Sequence, residues 1–182
     1  MSKNQKSSHL DMTDVASAPI VCPRERVIED WIDYNGHLNM AYYNVIFDRG
    51  VDYFYQQLGI GEDYTRSGIG SAFTLEVHLH YLNEVALGDE VEVRLQLLDF
   101  DSKRLHFFQQ MYQTEQGYLA ATSEQIALHV DIATRKAGPL PQHAQTQLES
   151  VMQAHKDLTR PEQVGHRIGI QRRQDNKKDS GQ

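Results

Sequence analysis

Apolar or small side chains recur at Tyr43, Ile46, Phe47, Gly50, Val51, Phe54 and Leu58, and from Phe73 onward the period of the pattern drops from 3.6 to two. A chain with one long helical stripe followed by a run of alternating segments has few ways to bury both. Asn39 offers a side-chain acceptor to the unpaired N–H groups of a first turn, and Gly59 follows the last periodic residue as a stop. The helix is therefore expected over residues 40–58.

Residues 59–70 are rich in glycine and polar side chains and read as a loop able to close over a site. Then Phe73, Leu75, Val77, Leu79 and Tyr81 alternate with Thr74, Glu76, His78 and His80, which predicts a half-buried strand with those five residues on one face. Alternation resumes after Gly88-Asp89 over 90–98, then over 105–112 and 118–130, with Gln116-Gly117 between the last two. Short connections make these strands antiparallel neighbours. A first strand is expected over 21–28, where Pro23 confines it to an edge. The fold class that follows is α+β, a long central helix packed on a five-stranded antiparallel sheet.

The chain has 182 residues, enough for one well-buried core and short for two. Residues 1–19 read as a disordered leader, 20–141 as the domain, 142–158 as a helix with Leu148, Val151, Met152 and His155 on one side, and 159–182 as a basic flexible tail. That tail holds six Lys or Arg against three Asp or Glu in a chain whose formal net charge is −7. The overall charge argues against a nucleic-acid partner, which needs a basic face. No apolar run is long enough to span a bilayer, and the first twenty residues lack a secretory core, so no membrane partner and a cytoplasmic location are expected. The lone Cys22, in an apolar run, reads as a small buried residue.

The polar stretch before the helix carries the chemistry. Asp33, Asn35, His37 and Asn39 surround Gly36 just ahead of Met40. A helix start has free N–H donors and a partial positive charge, so it can hold an oxygen that turns negative during a reaction. A Gly36 turn folds Asp33 back beside those donors, and a base or nucleophile facing an oxyanion site suggests acyl transfer or hydrolysis. A simple turn and cap built from the same residues is the plain structural alternative.

These residues, taken together, resemble the motif of the hotdog-fold acyl-CoA thioesterases of the 4-hydroxybenzoyl-CoA thioesterase-like group. That motif runs Asp, any, Asn, Gly, His, aliphatic, Asn, Asn, two residues, Tyr; here it is Asp33, Asn35, Gly36, His37, Leu38, Asn39 and Tyr43, with Met40 in place of the second Asn. The resemblance covers residues 21–141 and implies a helix wrapped by the sheet, with subunits paired into a homodimer or a dimer of dimers whose active sites lie at the interface. It implies that Asp33 attacks the thioester carbonyl or activates a water, while the Met40 N–H holds the carbonyl oxygen. Plant acyl-carrier-protein thioesterases share the spacing and suggest that Asn35 and His37 also take part. Asn39, Tyr43, Trp31 and Tyr34 are the expected substrate contacts, and no cofactor is implied. Asp48 and Asp52, one turn apart on the helix, are read as solvated or structural.

Segments 74–85, 99–106 and 121–136, followed by Pro139 and Pro141, also look like thioesterases encoded with bacterial carnitine-degradation enzymes, which act on betainyl-CoA. A trimethylammonium group needs aromatic faces, and Trp31, Tyr34, Tyr42, Tyr43, Tyr53 and Tyr55 are available near the motif. Lys103, Arg104, Arg135 and Lys136 are candidates for the CoA phosphates. Glu76, His78 and His80 share a strand face, but no third strong metal ligand is identifiable, so no metal is expected and the three could instead line the acyl pocket or an oligomer contact. Two other functions remain open from the sequence, a hydratase or dehydratase on an acyl thioester and a non-catalytic acyl-CoA binder.

Overall fold

A computed structural model describes residues 17–170, in which the 3.6-residue stripe is a helix, α1, over Met40–Gln57 with Leu58 as its C-cap. The leader expected over 1–19 and the far part of the tail expected over 159–182 lie largely outside the described residues. Seven strands form one antiparallel sheet: β1 (Ile20–Val21), β2 (Glu25–Arg26), β3 (Gly70–Tyr81), β4 (Glu90–Phe100), β5 (Arg104–Gln113), β6 (Leu119–Asp131) and β7 (Lys136–Ala137). Their order is β1-β4-β5-β6-β3, with β2 beside β4 and β7 beside β6. The expected first strand is present as two pieces, because Pro23 interrupts it and each piece pairs with the same edge of β4. With those pieces counted as one and the two-residue β7 set aside, the sheet has the five strands expected.

α1 lies across one face of the sheet. Phe47, Val51 and Phe54 are buried there with Val93, Leu95 and Phe107. The approach is closest at Gly50, where an added Cβ would sit 2.7 Å from Gln109 Nε2 and 3.2 Å from Val93 Cγ1. Gln109 Nε2 donates to the Phe47 carbonyl at 2.9 Å, and Gln125 Nε2 donates to Gln109 Oε1 at 3.1 Å and to Ser123 Oγ at 2.9 Å. Buried amides of this kind cost several kcal/mol only when unpaired, and here a chain of bonds from sheet to helix pairs them.

Two expectations change. The segment 59–70 is not all loop, since α2 (Glu62–Arg66) closes a turn within it. On β3 the register shifts between Thr74 and Glu76, so Leu75 is an extra residue and the alternation inverts there. Val77 and Leu79 pair with Gln125 and Ser123, whose side chains face the helix, whereas Phe73 pairs with Leu128 and lies on the opposite face. A single face for Phe73 through Tyr81 was the wrong inference, because period-two counting cannot register one inserted residue.

α3 (Gln142–His155) packs Ala144, Leu148 and Val151 into the core beside Leu95 and Leu97. Its last residue is wired into the sheet: Leu97 N–H donates to His155 Nδ1 at 3.0 Å, and His155 Nε2 donates to the Ser17 carbonyl at 2.9 Å. Among the described residues no helix is long and apolar enough to cross a membrane.

Burial lowers the pKa of His155 below the ordinary 6.5, so the folded ring stays neutral where an unfolded one takes up a proton. Its contribution to stability is therefore complete above about pH 6.5 and declines as the pH falls below it. Urea unfolding at pH 7.5 and 5.5 tests this. His155→Phe should be about 1–3 kcal/mol less stable at pH 7.5, because Leu97 N–H loses its acceptor, and should show a smaller drop on acidification.

Candidate active site

The polar stretch ahead of α1 is a miniature hairpin. Ile32 bridges Leu38, Asp33 N–H donates to the His37 carbonyl at 3.0 Å, and Gly36 N–H donates to the Asp33 carbonyl at 3.0 Å. Gly36 has φ +84°, a left-handed value that favours glycine and lets the chain reverse in so few residues. Asn35 N–H donates to Asp33 Oδ1 at 2.8 Å, an Asx turn that orients the carboxylate.

The hairpin is fixed on both sides. Leu38 N–H donates to the Val85 carbonyl, and Asn39 N–H donates to the Trp31 carbonyl. Asn39 Oδ1 then accepts Ala41 N–H at 2.9 Å, capping α1 as its residue type predicts. Among the described residues Met40 N–H has no acceptor, as expected of a first helical position.

A hollow of about 620 Å3 opens at this helix start. Asp33, Asn35, His37, Met40 and Tyr43 line it together, so the structure gathers five of the residues singled out by sequence. Leu38, Tyr81 at the end of β3, and Leu82, Asn83 and Glu84 just after it complete the wall. Tyr43 OH donates to the Asn83 carbonyl at 3.3 Å, Tyr81 OH donates to the Met40 carbonyl at 3.2 Å, and the two rings meet edge to face at 5.3 Å. Burial pushes the Tyr43 phenol up to about 12, so it remains a protonated donor. His37 Nε2 lies 3.3 Å from Glu84 Oε2. No spacing rule reaches from residue 33 to residue 84, and Glu84 becomes visible only through the bridge between His37 and Ala86.

Chemically, the arrangement can present a carboxylate and a backbone donor to the two sides of one carbonyl group. Asp33 Oδ1 is held by Asn35, which leaves Oδ2 as the atom to face a carbonyl carbon or a water. The helix start supplies the donor for an oxygen gaining charge.

Other candidates fall elsewhere. Tyr34 is 97% exposed and turned away from the hollow, because it occupies the tip of the hairpin. Trp31 is buried, stacked on Tyr42 at 5.6 Å and placed under the Arg49 guanidinium at 5.1 Å, so its ring is spent on packing within the chain. Lys103 ends the turn before β5 and Arg104 opens that strand, opposite His129 and Leu128 near the end of β6. Tyr81 and the hollow lie beside the start of β6, at the other end of the sheet. Arg104 is further engaged by Asp101, which draws that carboxyl down to about 2. Arg135 stacks over Phe73, at the same far end as Lys136.

Asp48 and Asp52 line a different hollow, about 870 Å3, bounded by Tyr64 on α2 and Thr74 on β3. Burial, then Asp48 and Glu62, raise the pKa of Asp52. Cys22 is buried and its thiol is pushed up to about 12, chiefly by that burial, which makes it inert as a nucleophile.

Among known proteins, the family described as the thioesterase-like superfamily matches residues 27–148. A betainyl-CoA thioesterase from Pseudomonas aeruginosa is 39% identical over 144 residues, 79% of this chain and 91% of that protein. An L-carnitine dehydrogenase/betainyl-CoA thioesterase from Rhizobium meliloti is 34% identical over 157 residues, 86% of this chain but only 32% of that protein. A hypothetical protein from Staphylococcus aureus, solved in complex with CoA, shares the fold with a TM-score of 0.79 at 33% identity, over 85% of this chain and 98% of that chain.

The Asn39 cap gives a direct test of how the helix start is held. Asn39→Ala should lower unfolding stability by about 1 kcal/mol and Asn39→Asp by much less, measured by urea titration.

Proposed function

Because this chain belongs to the thioesterase-like superfamily, we propose that the acyl-CoA it acts on is betainyl-CoA, cleaved at the hollow between Asp33, the Met40 N–H and Glu84. The chain is a hotdog-fold acyl-CoA thioester hydrolase.

The observation that carries the acyl group is the hollow's charge and lining. It has two carboxylates, Asp33 and Glu84, two tyrosine rings, and no Lys or Arg. A trimethylammonium group cannot donate a hydrogen bond, so it is recognised by ring faces and by carboxylate charge, at about 0.5–2 kcal/mol for each ring contact. Tyr43, one of the residues expected to meet the acyl group, takes this part with Tyr81, while Trp31 and Tyr34 are not among the residues lining the hollow. The Pseudomonas relative's name agrees with this reading.

In the reaction, Asp33 either attacks the thioester carbon or takes a proton from the water that does. Met40 N–H receives the developing oxyanion. If Asp33 attacks, CoA leaves as its thiol from an Asp33–acyl anhydride, which a water then cleaves to the free acid and the restored carboxylate; if water attacks, its oxygen joins the carbonyl carbon, its proton passes through Asp33 to the departing CoA thiolate, and the free acid leaves. Asn35 orients the carboxylate, and His37 is held toward the site by Glu84.

β3 supports a dimer. It is a twelve-residue edge strand whose Phe73, Leu75 and Val77 are exposed, a surface that soluble proteins cover. Two copies paired through antiparallel β3 edges would form one continuous sheet and bring the Asp33 end of each beside the far end of the other. Lys103 of the partner subunit and Arg104 of the partner subunit would then approach the CoA phosphates from across the interface. We place the dimer, or a dimer of dimers, in the cytoplasm and in carnitine breakdown.

Thiol release from betainyl-CoA and from its neutral isostere, 3,3-dimethylbutanoyl-CoA, separates cation recognition from general hydrolysis. Betainyl-CoA should be preferred at least tenfold in kcat/KM, about 1.4 kcal/mol, and Glu84→Gln should narrow that preference. Equal rates would remove the betainyl reading. Acyl-CoA binding with no cleavage of either compound would favour a binding role.

A further inference from the structure

On the sheet face turned away from α1, three imidazoles converge. His78 and His80 are two apart on β3 and therefore project from the same face, with ring centroids 4.6 Å apart. His166, 86 residues further along, arrives over them with its centroid 4.7 Å from His80 and 6.1 Å from His78. One ring nitrogen from each of the three lies within 4.8 Å of the others. We propose that His78, His80 and His166 form a binding site for a borderline divalent transition ion, Zn2+ above all, that clips the C-terminal segment to strand β3.

His166 does not reach this place as the end of a loose chain. Val164 N–H donates to the Pro161 carbonyl and His166 N–H to the Gln163 carbonyl, two turns in succession. Between them Gly165 N–H donates to Glu124 Oε2 at 2.7 Å. Glu124 pairs with His78 across the β3–β6 ladder, and its other oxygen lies 2.8 Å from His106 Nε2. The carboxylate thus anchors the backbone beside the third ligand, which is how outer groups position metal-binding side chains.

The donor set decides the ion. Three neutral imidazoles suit Zn2+, Ni2+, Co2+ or Cu2+, whereas Mg2+ and Ca2+ want oxygen ligands. An ion equidistant from three nitrogens at their widest spacing, 4.8 Å, would sit about 2.8 Å from each. Zinc bonds to nitrogen at about 2.0–2.1 Å, so each ring has to move inward by roughly 0.7 Å. His166 is exposed and can swing, while His78 and His80 are half-buried on the strand, and a water completes the tetrahedron.

The site is separate from the acyl-CoA hollow, and its role is to hold rather than to react. Tyr81, the residue after His80, has its hydroxyl on the Met40 carbonyl, so a clip here steadies the strand end that borders the hollow.

The test uses the full chain without an affinity tag, stripped with a chelator and dialysed. Calorimetric titration with ZnCl2 should give one zinc per chain. His80→Gln and His166→Gln should each weaken binding at least tenfold, since losing even an outer-shell partner costs 10–100-fold. Both variants should unfold in chelator at the wild-type temperature, and zinc should raise the melting temperature of the wild type alone. Co2+ in place of zinc should give the visible absorption of a four-coordinate site. Failure to bind near one zinc per chain, half a zinc per chain, or a His166→Gln titration matching the wild type would each overturn the proposal.

Discussion

The fold depends on how closely α1 can lie on the sheet. At Gly50 there is no room for a Cβ between the helix, Gln109 and Val93. Glycine inside a helix costs about 0.5–1 kcal/mol relative to alanine, and here the cost is offset by burial that a thicker contact would forfeit. The same approach brings the Phe47 carbonyl within reach of Gln109, and Gln109 within reach of Gln125 and Ser123. One contact thus sets the height of the helix above the sheet and seals a row of buried amides.

The start of α1 is tied into its surroundings: Tyr81 OH donates to the Met40 carbonyl, Leu38 N–H to the Val85 carbonyl and Asn39 N–H to the Trp31 carbonyl. The candidate oxyanion donor and the candidate carboxylate are consequently held by a set of hydrogen bonds, most of them backbone to backbone, an arrangement suited to aiming groups at a reacting carbonyl. The other end of the helix is secured by α3, whose His143 Nε2 lies 3.2 Å from the Gly59 carbonyl and whose Ala144 and Leu148 share the core with Leu58.

Much of this was legible in the residues themselves. The stripe from Tyr43 to Leu58, the Asn39 cap, the confinement of the Pro23 strand to an edge and the antiparallel meander all follow from local chemistry, and each stands close to where it was expected. What escaped was of two kinds. A single inserted residue, Leu75, reversed the faces of β3 without changing its composition. Contacts made across long stretches of chain left no local mark: Glu84 meeting His37, His166 meeting His78 and His80, and the distance that separates Lys103 and Arg104 from Asp33 within one chain. Aromatics near the motif also proved a poor guide to the wall of the hollow, since Trp31 and Tyr42 pack on each other while Tyr81, from another element, lines it.

The central claim is that Asp33 performs the hydrolysis at the start of α1. The most direct measurement compares single-turnover thioester cleavage by the wild type and Asp33→Asn, with CoA affinity and unfolding temperature measured on both. The account predicts unchanged affinity and melting with a rate at least about 100-fold lower, the scale on which removing a general base or nucleophile acts. A variant that binds equally well and cleaves within a few-fold of the wild type would contradict it.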